Sequence, residues 1–254
     1  MANAWIPWYG CKKKSEGCQN CYIYRGAASR GMDASNVHKS DKFDLPLQMN
    51  TKGNYIIPPN TLVFTSFSSD FLLEEADEWR SEAWAMMKQR SDCKFLFLTK
   101  RPERLLQCIP PDWNEGYDNV EIGVSCENQR RADERLSIFM KLPIKRKYII
   151  LAPMLEKMDI EKYLDPSLAC VVCEGESGPG VRPLEFDWVL DIREQCIRRG
   201  VSFSFRQTGS NFIMDGKPYQ VQKRYQHSQA RKAGIDYSPV SIAPALPILL
   251  EGSC

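Results

Sequence analysis

The chain of 254 residues carries 34 basic and 32 acidic side chains, a formal charge of +2 that leaves no electrostatic footprint for a polymeric DNA or RNA backbone. Residues 1–25 are polar and broken by Gly and Lys, so no secretory leader is expected, and no run approaches the roughly 18 apolar residues of a membrane span. Ten cysteines without a leader suggest a reducing cytoplasm, where clustered thiols bind metal or catalyse more often than they cross-link; two histidines, His38 and His227, are poor foundations for a Ser-His-Asp hydrolase.

The first expected strand, Ala4–Trp8, leads through Tyr9-Gly10 into a loop holding Cys11, Cys18 and Cys21 with three lysines between the first two. Cys18 and Cys21 are spaced so that both sulfurs can reach one centre. No fourth ligand is nearby: the next cysteine is Cys93, and His38 lies seventeen residues beyond Cys21. Structural zinc needs a closed tetrahedral set. An iron-sulfur cluster usually takes four thiolates, so three leave one iron open. Three unrelated buried thiols would be small hydrophobes, but Lys12–Lys14, Ser15, Glu16, Gln19 and Asn20 make the loop polar.

Beyond the loop, 22–30 suits a short helix, and Phe43–Pro46 is expected to be extended because the residue before proline avoids the helical region. Pro58-Pro59-Asn60 marks a turn, Thr61–Ser66 a strand with a polar tip to Asp70, and Leu73–Arg90 a helix with an acidic first turn. The unit then recurs. Strands are expected at Lys94–Thr99, Asn119–Ser125, Lys147–Leu151, Ala169–Cys173 and Val201–Phe205, with helices after Pro102, at Arg130–Met140 and at Asp187–Arg198. Nearly continuous apolar strands alternating with amphipathic helices predict an α/β fold with a parallel sheet buried on both faces. Each strand ends in a polar cluster, the pattern of a partial or complete TIM-like (β/α) barrel of six to seven parallel strands, with a doubly wound open sheet as the alternative. One domain is expected over 1–237, with a proline-punctuated tail over 238–254 packed on the surface or disordered.

Several motifs together carry a resemblance. Trp5-x-Pro-Trp-x-Gly-Cys11, Gly17-Cys18-x-Asn-Cys21-Tyr22, Phe43–Pro46, Ser69-Asp-Phe71, Glu75–Arg80, Thr99-Lys-Arg101, Cys126–Gln129, Gly175–Gly178 and Gln195-Cys196 resemble the phage Gp37/Gp68-like group, a divergent branch of the radical S-adenosylmethionine superfamily, over residues 5 to about 235. The gaps of six and two between the cysteines depart from the superfamily's commonest spacing of three and two. The resemblance implies that Cys11, Cys18 and Cys21 hold a [4Fe-4S] cluster whose open iron binds S-adenosylmethionine. An external electron donor would reduce the cluster, the cofactor would split to methionine and a 5′-deoxyadenosyl radical, and that radical would abstract hydrogen from substrate. One member of the group is a queuosine lyase, so the implied substrate is a nucleoside or nucleotide, queuosine or its 5′-phosphate, cleaved to queuine. Rival readings are a radical enzyme for another small metabolite or a DNA lesion, and a non-enzymatic zinc module.

Cofactor contacts are then expected from Thr99, Lys100, Ser125, Glu127, Ser66 and Ser68, with Arg101 sharing the carboxylate role with Lys100; Glu127 and Asn128 equally suit a cap on the next helix. Substrate contacts are expected from Glu176, Asp70, Arg206 and Gln207, although Glu176 can instead pair with Arg182. Trp8 and Tyr9 either shield the cluster, stack on a ring or fill core. Cys170 and Cys173, three apart on a strand, should face opposite sides and be structural. Lys145–Lys147 reads as a solvated turn.

Overall fold

Every apolar run expected to form a barrel strand enters one all-parallel sheet in the computed structural model, which describes residues 3–239. β1 (Asn3–Trp5) stops before Ile6-Pro7, where proline lacks the amide donor a strand needs, and the chain resumes as β2 (Trp8–Tyr9). After helix α1 (Tyr22–Ala28), β3 (His38–Lys39) pairs antiparallel with β2. The repeating part comprises β4 (Leu62–Thr65), α2 (Asp77–Gln89), β5 (Lys94–Thr99), α3 (Leu105–Cys108), β6 (Val120–Ser125), α4 (Gln129–Phe139), β7 (Lys147–Leu151) and β8 (Cys170–Glu174). It ends with β9 (Leu184–Glu185), α5 (Phe186–Arg199), β10 (Phe203–Gln207), β11 (Asn211–Met214), β12 (Lys217–Gln220) and α6 (Lys223–Lys232).

The main sheet has the order β1-β4-β5-β6-β7-β8-β10 and curls into a half-barrel flanked by helices. Its strands follow chain order without a reversal. A doubly wound sheet requires a switch point where the order turns back, and this one has none. The ligand-accessible end is therefore the carboxyl end of the strands, as in closed barrels.

Strand alternation sorts the side chains. Val63, Phe95, Phe97, Ile122, Val124, Ile149, Leu151, Val171, Cys173, Phe203 and Phe205 face the helical layer and join Trp84, Leu136, Val189 and Ile192 in the main core. Leu96, Tyr148, Ile150 and Val172 line the concave face with the half-buried Leu62, Phe64, Phe67, Leu98 and Cys170. Cys170 and Cys173 thus fall on opposite faces. At Gly123, on the concave face, a Cβ would lie 2.5 Å from a Leu98 methyl, so the absent side chain is what lets neighbouring strands pack there.

Two local expectations need correction, two elements were not anticipated, and one expectation falls outside the described residues. Ala4–Trp8 is two short strands, as above. Phe43–Pro46 is not extended: Pro46 sits in the first turn of a 3₁₀ helix at Leu45–Leu47, where its missing donor is harmless. The small sheet β12-β11-β9 and helix α6 had no sequence-based expectation. The expected tail lies, from residue 240 onward, outside the described residues.

The irregular stretch between β3 and β4 is held by one arginine. Arg90 is 1 % exposed and donates to the Pro46 carbonyl, to the Ile57 carbonyl at 2.9 Å and to both Asp92 oxygens at 2.8 and 2.9 Å. We predict that Arg90→Ala, which leaves those carbonyls unpaired, lowers unfolding free energy by about 3 kcal/mol. A urea midpoint within error of the wild type would show that the clamp contributes nothing.

Candidate functional site

The three-cysteine loop lies across the carboxyl ends of the half-barrel. It is launched by Gly10, whose φ is +80° and whose Cβ would stand 2.3 Å from the Asn36 carbonyl oxygen, so no other residue fits this turn. Ser69, beyond β4, donates to the Gly10 carbonyl. Arg101, beyond β5, donates to the Lys12 carbonyl at 2.8 Å. Glu127, beyond β6, accepts from Gly17 N–H at 3.3 Å, and Arg135 on α4 donates to Ser15 Oγ at 2.7 Å. Glu176, beyond β8, accepts from Asn20 at 2.9 Å, and Arg182 donates to the Glu16 carbonyl at 3.0 Å. Four strand ends therefore hold one loop.

This arrangement gives four of the expected ligand residues partners within the protein. Asp70 is saturated by Thr99 Oγ1, Lys100 N–H, Leu72 N–H and the Arg101 guanidinium, all at 2.8–3.0 Å. Thr99 is closed off with it, since its hydroxyl also accepts from Arg101 N–H at 2.9 Å. Glu127 is fully buried against Arg135 at 2.8 Å. Burial alone would raise its carboxyl, but the Arg135 charge and hydrogen bonds from Ser15 and Arg135 outweigh burial and hold it below the ordinary range. Glu176 is enclosed by Asn20 and by the backbone and guanidinium of Arg182. These acids position the loop: Asp70 and Glu176 each accept four hydrogen bonds, and Glu127 accepts from Gly17 N–H and Arg135. Trp8 is also core: it is 0 % exposed, packs 5.1 Å from the Phe71 ring and donates to the Asp70 carbonyl. Tyr9 is exposed beside His38, with ring centroids 5.7 Å apart.

Cys11, Cys18 and Cys21 are free thiols, each half-buried. Cys11 is pushed up to about 12, first by burial and then by Asp70 and the two neighbouring cysteines, against the Arg101 charge. Among the described residues no three His, Cys, Asp or Glu side chains converge tightly enough to hold a metal ion. A lone tetrahedral zinc would need sulfurs roughly 3.8 Å apart, given Zn–S bonds of about 2.3 Å. The thiols are grouped within electrostatic range of one another.

Below the loop, the concave face ends in a rim of polar residues. Ser125 lies in register with Ile150, and Ile150 with Val172, so its side chain shares their face; its hydroxyl makes no hydrogen bond among the described residues, although its carbonyl accepts from Arg135. Lys100 continues the alternation of Leu96 and Leu98. At the other end of the rim a β-bulge places Arg206 and Gln207 opposite the single residue Glu174, and both side chains reach it, at 3.1 and 3.0 Å.

Five buried side-chain atoms among the described residues lack a hydrogen-bond partner, and four of them sit at this mouth: Ser66 Oγ, Ser68 Oγ, Arg25 Nη1 and Arg206 Nε. The fifth, Glu121 Oε1, at least faces the Arg146 guanidinium at 3.0 Å. Unsatisfied buried groups are costly, and these four are distributed along the rim, the serines beyond β4 and the arginines near Ser177 and Glu174. Arg25 and Glu174 were not expected here from sequence, and only the position of Arg25, one helical turn after Cys21, carries a signal; Arg182 takes the structural pairing with Glu176 that the sequence offered as the alternative.

Breaking a buried pair strands its partner, so Glu127→Gln should lower stability by about 3–5 kcal/mol. Because the Glu127 carboxyl is held below its ordinary 4.5, its contribution is complete above that pH and is lost as pH falls through the lowered folded-state value. Urea midpoints measured from pH 7 to 3 should therefore decline below about pH 4.5 in the wild type and decline less in Glu127→Gln; parallel curves would remove Glu127 from this role.

No curated protein and no solved structure matches the chain. Residues 1–237 match the family model described as "Protein of unknown function (DUF5131)", and the chain belongs to that family.

Proposed function

We propose that this chain is a radical S-adenosylmethionine enzyme whose substrate is a nucleoside or nucleotide, with queuosine or its 5′-phosphate, cleaved to release queuine, as the best candidate. The observation that carries this reading is the delivery of three free thiols from one braced loop to the mouth of a half-barrel. The motifs shared with the Gp37/Gp68-like group supply the identity of cofactor and substrate.

The residues fit a [4Fe-4S] cluster with bound S-adenosylmethionine. Cys11, Cys18 and Cys21 would hold the cluster; ligand groups of this kind need not be converged before the metal arrives. When bound, the pair supplies one-electron chemistry that yields a 5′-deoxyadenosyl radical, with the electron coming from an external donor. The orphaned hydroxyls of Ser66 and Ser68 would complete their hydrogen bonds on polar groups of the cofactor. Lys100 and Ser125 offer further donors at the rim. Phe64, Phe67 and Leu98 give a half-exposed apolar wall on which flat rings can pack and from which water is displaced. No residue of the mouth has to act as a base for this reaction class, which agrees with a site lacking histidine apart from the exposed His227 near Arg206.

Two experiments test the reading. After anaerobic reconstitution the wild type should carry about four iron and four sulfide per chain; Cys11→Ala, Cys18→Ala and Cys21→Ala should each lose them, while Cys170→Ala with Cys173→Ala should not. Full iron in any of the first three would refute the ligand assignment. Reconstituted protein given dithionite, S-adenosylmethionine and queuosine or its 5′-phosphate should release 5′-deoxyadenosine and queuine, detected by mass spectrometry. Deoxyadenosine without queuine would keep the reaction class and remove the substrate, and bound zinc with neither product would remove both.

A further inference from the structure

The orphaned atoms at the mouth are of two kinds. Ser66 and Ser68 are neutral, whereas Arg25 and Arg206 are cations, and the two cations lie on the other side of the rim. A chain of polar contacts joins them. Arg25 Nη2 donates to the Ser177 carbonyl, Ser177 Oγ donates to Gln226 Oε1 at 2.5 Å and lies 3.3 Å from Gln207 Oε1, Gln207 Nε2 donates to Glu174 at 3.0 Å, and Glu174 accepts from Arg206 Nη1 at 3.1 Å. Along this chain Glu174 is the only carboxylate, so two positive charges face one negative charge. Arg25 meets no carboxylate among the described residues; its one recorded partner is a neutral carbonyl.

Both guanidinium groups are built in. Gly178 has φ +119°, and a Cβ there would stand 2.4 Å from Arg25 Nη2, so the missing side chain is the space the guanidinium occupies. Arg206 is the extra residue of the β10 bulge, which turns it toward Glu174 beside Gln207. Arg25 also follows Cys21 by one helical turn, with its N–H on the Cys21 carbonyl at 3.2 Å, so the cationic end of the rim adjoins the cysteine loop.

We propose that Arg25 and Arg206 form a receptor for an oxyanion carried by the substrate, a phosphate monoester or a carboxylate. Two guanidinium groups share one carboxylate, and the unpartnered Nη1 of Arg25 and Nε of Arg206 are donors an anion could take up. Glu174 neutralises one arginine and, with Gln207, fixes the second at the edge of the concave face. This inference stands apart from the cluster assignment, since it rests on no cysteine.

The test uses the full chain without metal. Thermal unfolding is followed at constant ionic strength while chloride is replaced by inorganic phosphate or by acetate, and separately with S-adenosylmethionine added. Phosphate or acetate should raise the wild-type Tm, and Arg25→Gln or Arg206→Gln should raise the half-saturating concentration about tenfold, with partial recovery in Arg25→Lys or Arg206→Lys. A response to phosphate alone identifies a phosphate monoester, and one shared with acetate a carboxylate. In chloride Arg25→Gln should melt within error of the wild type, because Arg25 meets no carboxylate among the described residues, whereas Arg206→Gln strands Glu174 and is therefore compared with Arg206→Lys. The proposal is overturned if neither anion shifts the wild type, if the double variant responds equally, if Arg25→Gln melts well below the wild type in chloride, or if S-adenosylmethionine alone protects.

Discussion

The architecture depends on buried charge pairs at the strand ends. Asp70 with Arg101 and Glu127 with Arg135 are nearly or fully buried, and Glu176 with Arg182 is half-enclosed; each acid or its arginine also binds the backbone or a polar side chain of the cysteine loop. Such pairs gain little over a well-packed apolar alternative, but losing one partner is severe because the other is left charged in a poor solvent. Their value here is positional. They fix a loop that has no regular ladder of its own and carries mostly polar side chains. The surface pairs Lys12–Glu75 and Lys14–Glu103 add little to this, since both partners are well exposed.

The barrel strands were legible because their signal is hydrophobic burial, which composition records directly: all six residues of β6 are buried, and the run Val120–Ser125 reads as apolar throughout its centre. The 211–220 hairpin was legible too, although unread. Asp215 and Gly216 both have positive φ, the Asp-Gly pairing that a two-residue turn demands. Helix α6 is harder, for it buries only Gln226 and Ala230 and has no apolar stripe.

For the site, sequence located the loop and the strand ends but not the roles within them. Thr99 and Lys100 are adjacent, yet alternation sends them to different faces, and Thr99 goes to Asp70. Acids at strand ends look alike as ligand-binding groups and as anchors; which they are depends on the arginines that arrive from elsewhere in the chain, Arg135 eight residues beyond Glu127 and Arg101 thirty-one beyond Asp70. Arg206 and Gln207 needed the bulge to bring them to one side, and a bulge leaves no mark in composition.

Among the described residues, none of the hydrogen bonds that tie the cysteine loop to the strand ends passes through sulfur; Lys14 N–H to Cys18 Sγ, at 3.5 Å, lies within the loop. Gly10, Lys12, Ser15, Glu16, Gly17 and Asn20 are the points of attachment, and the thiols stand between them. Small zinc domains reach their fold only when the metal arrives, because the metal is their main cross-link. Here the cross-links are made by the protein itself, so the shape of the loop does not wait on a ligand: the thiols are presented on a scaffold that is already complete.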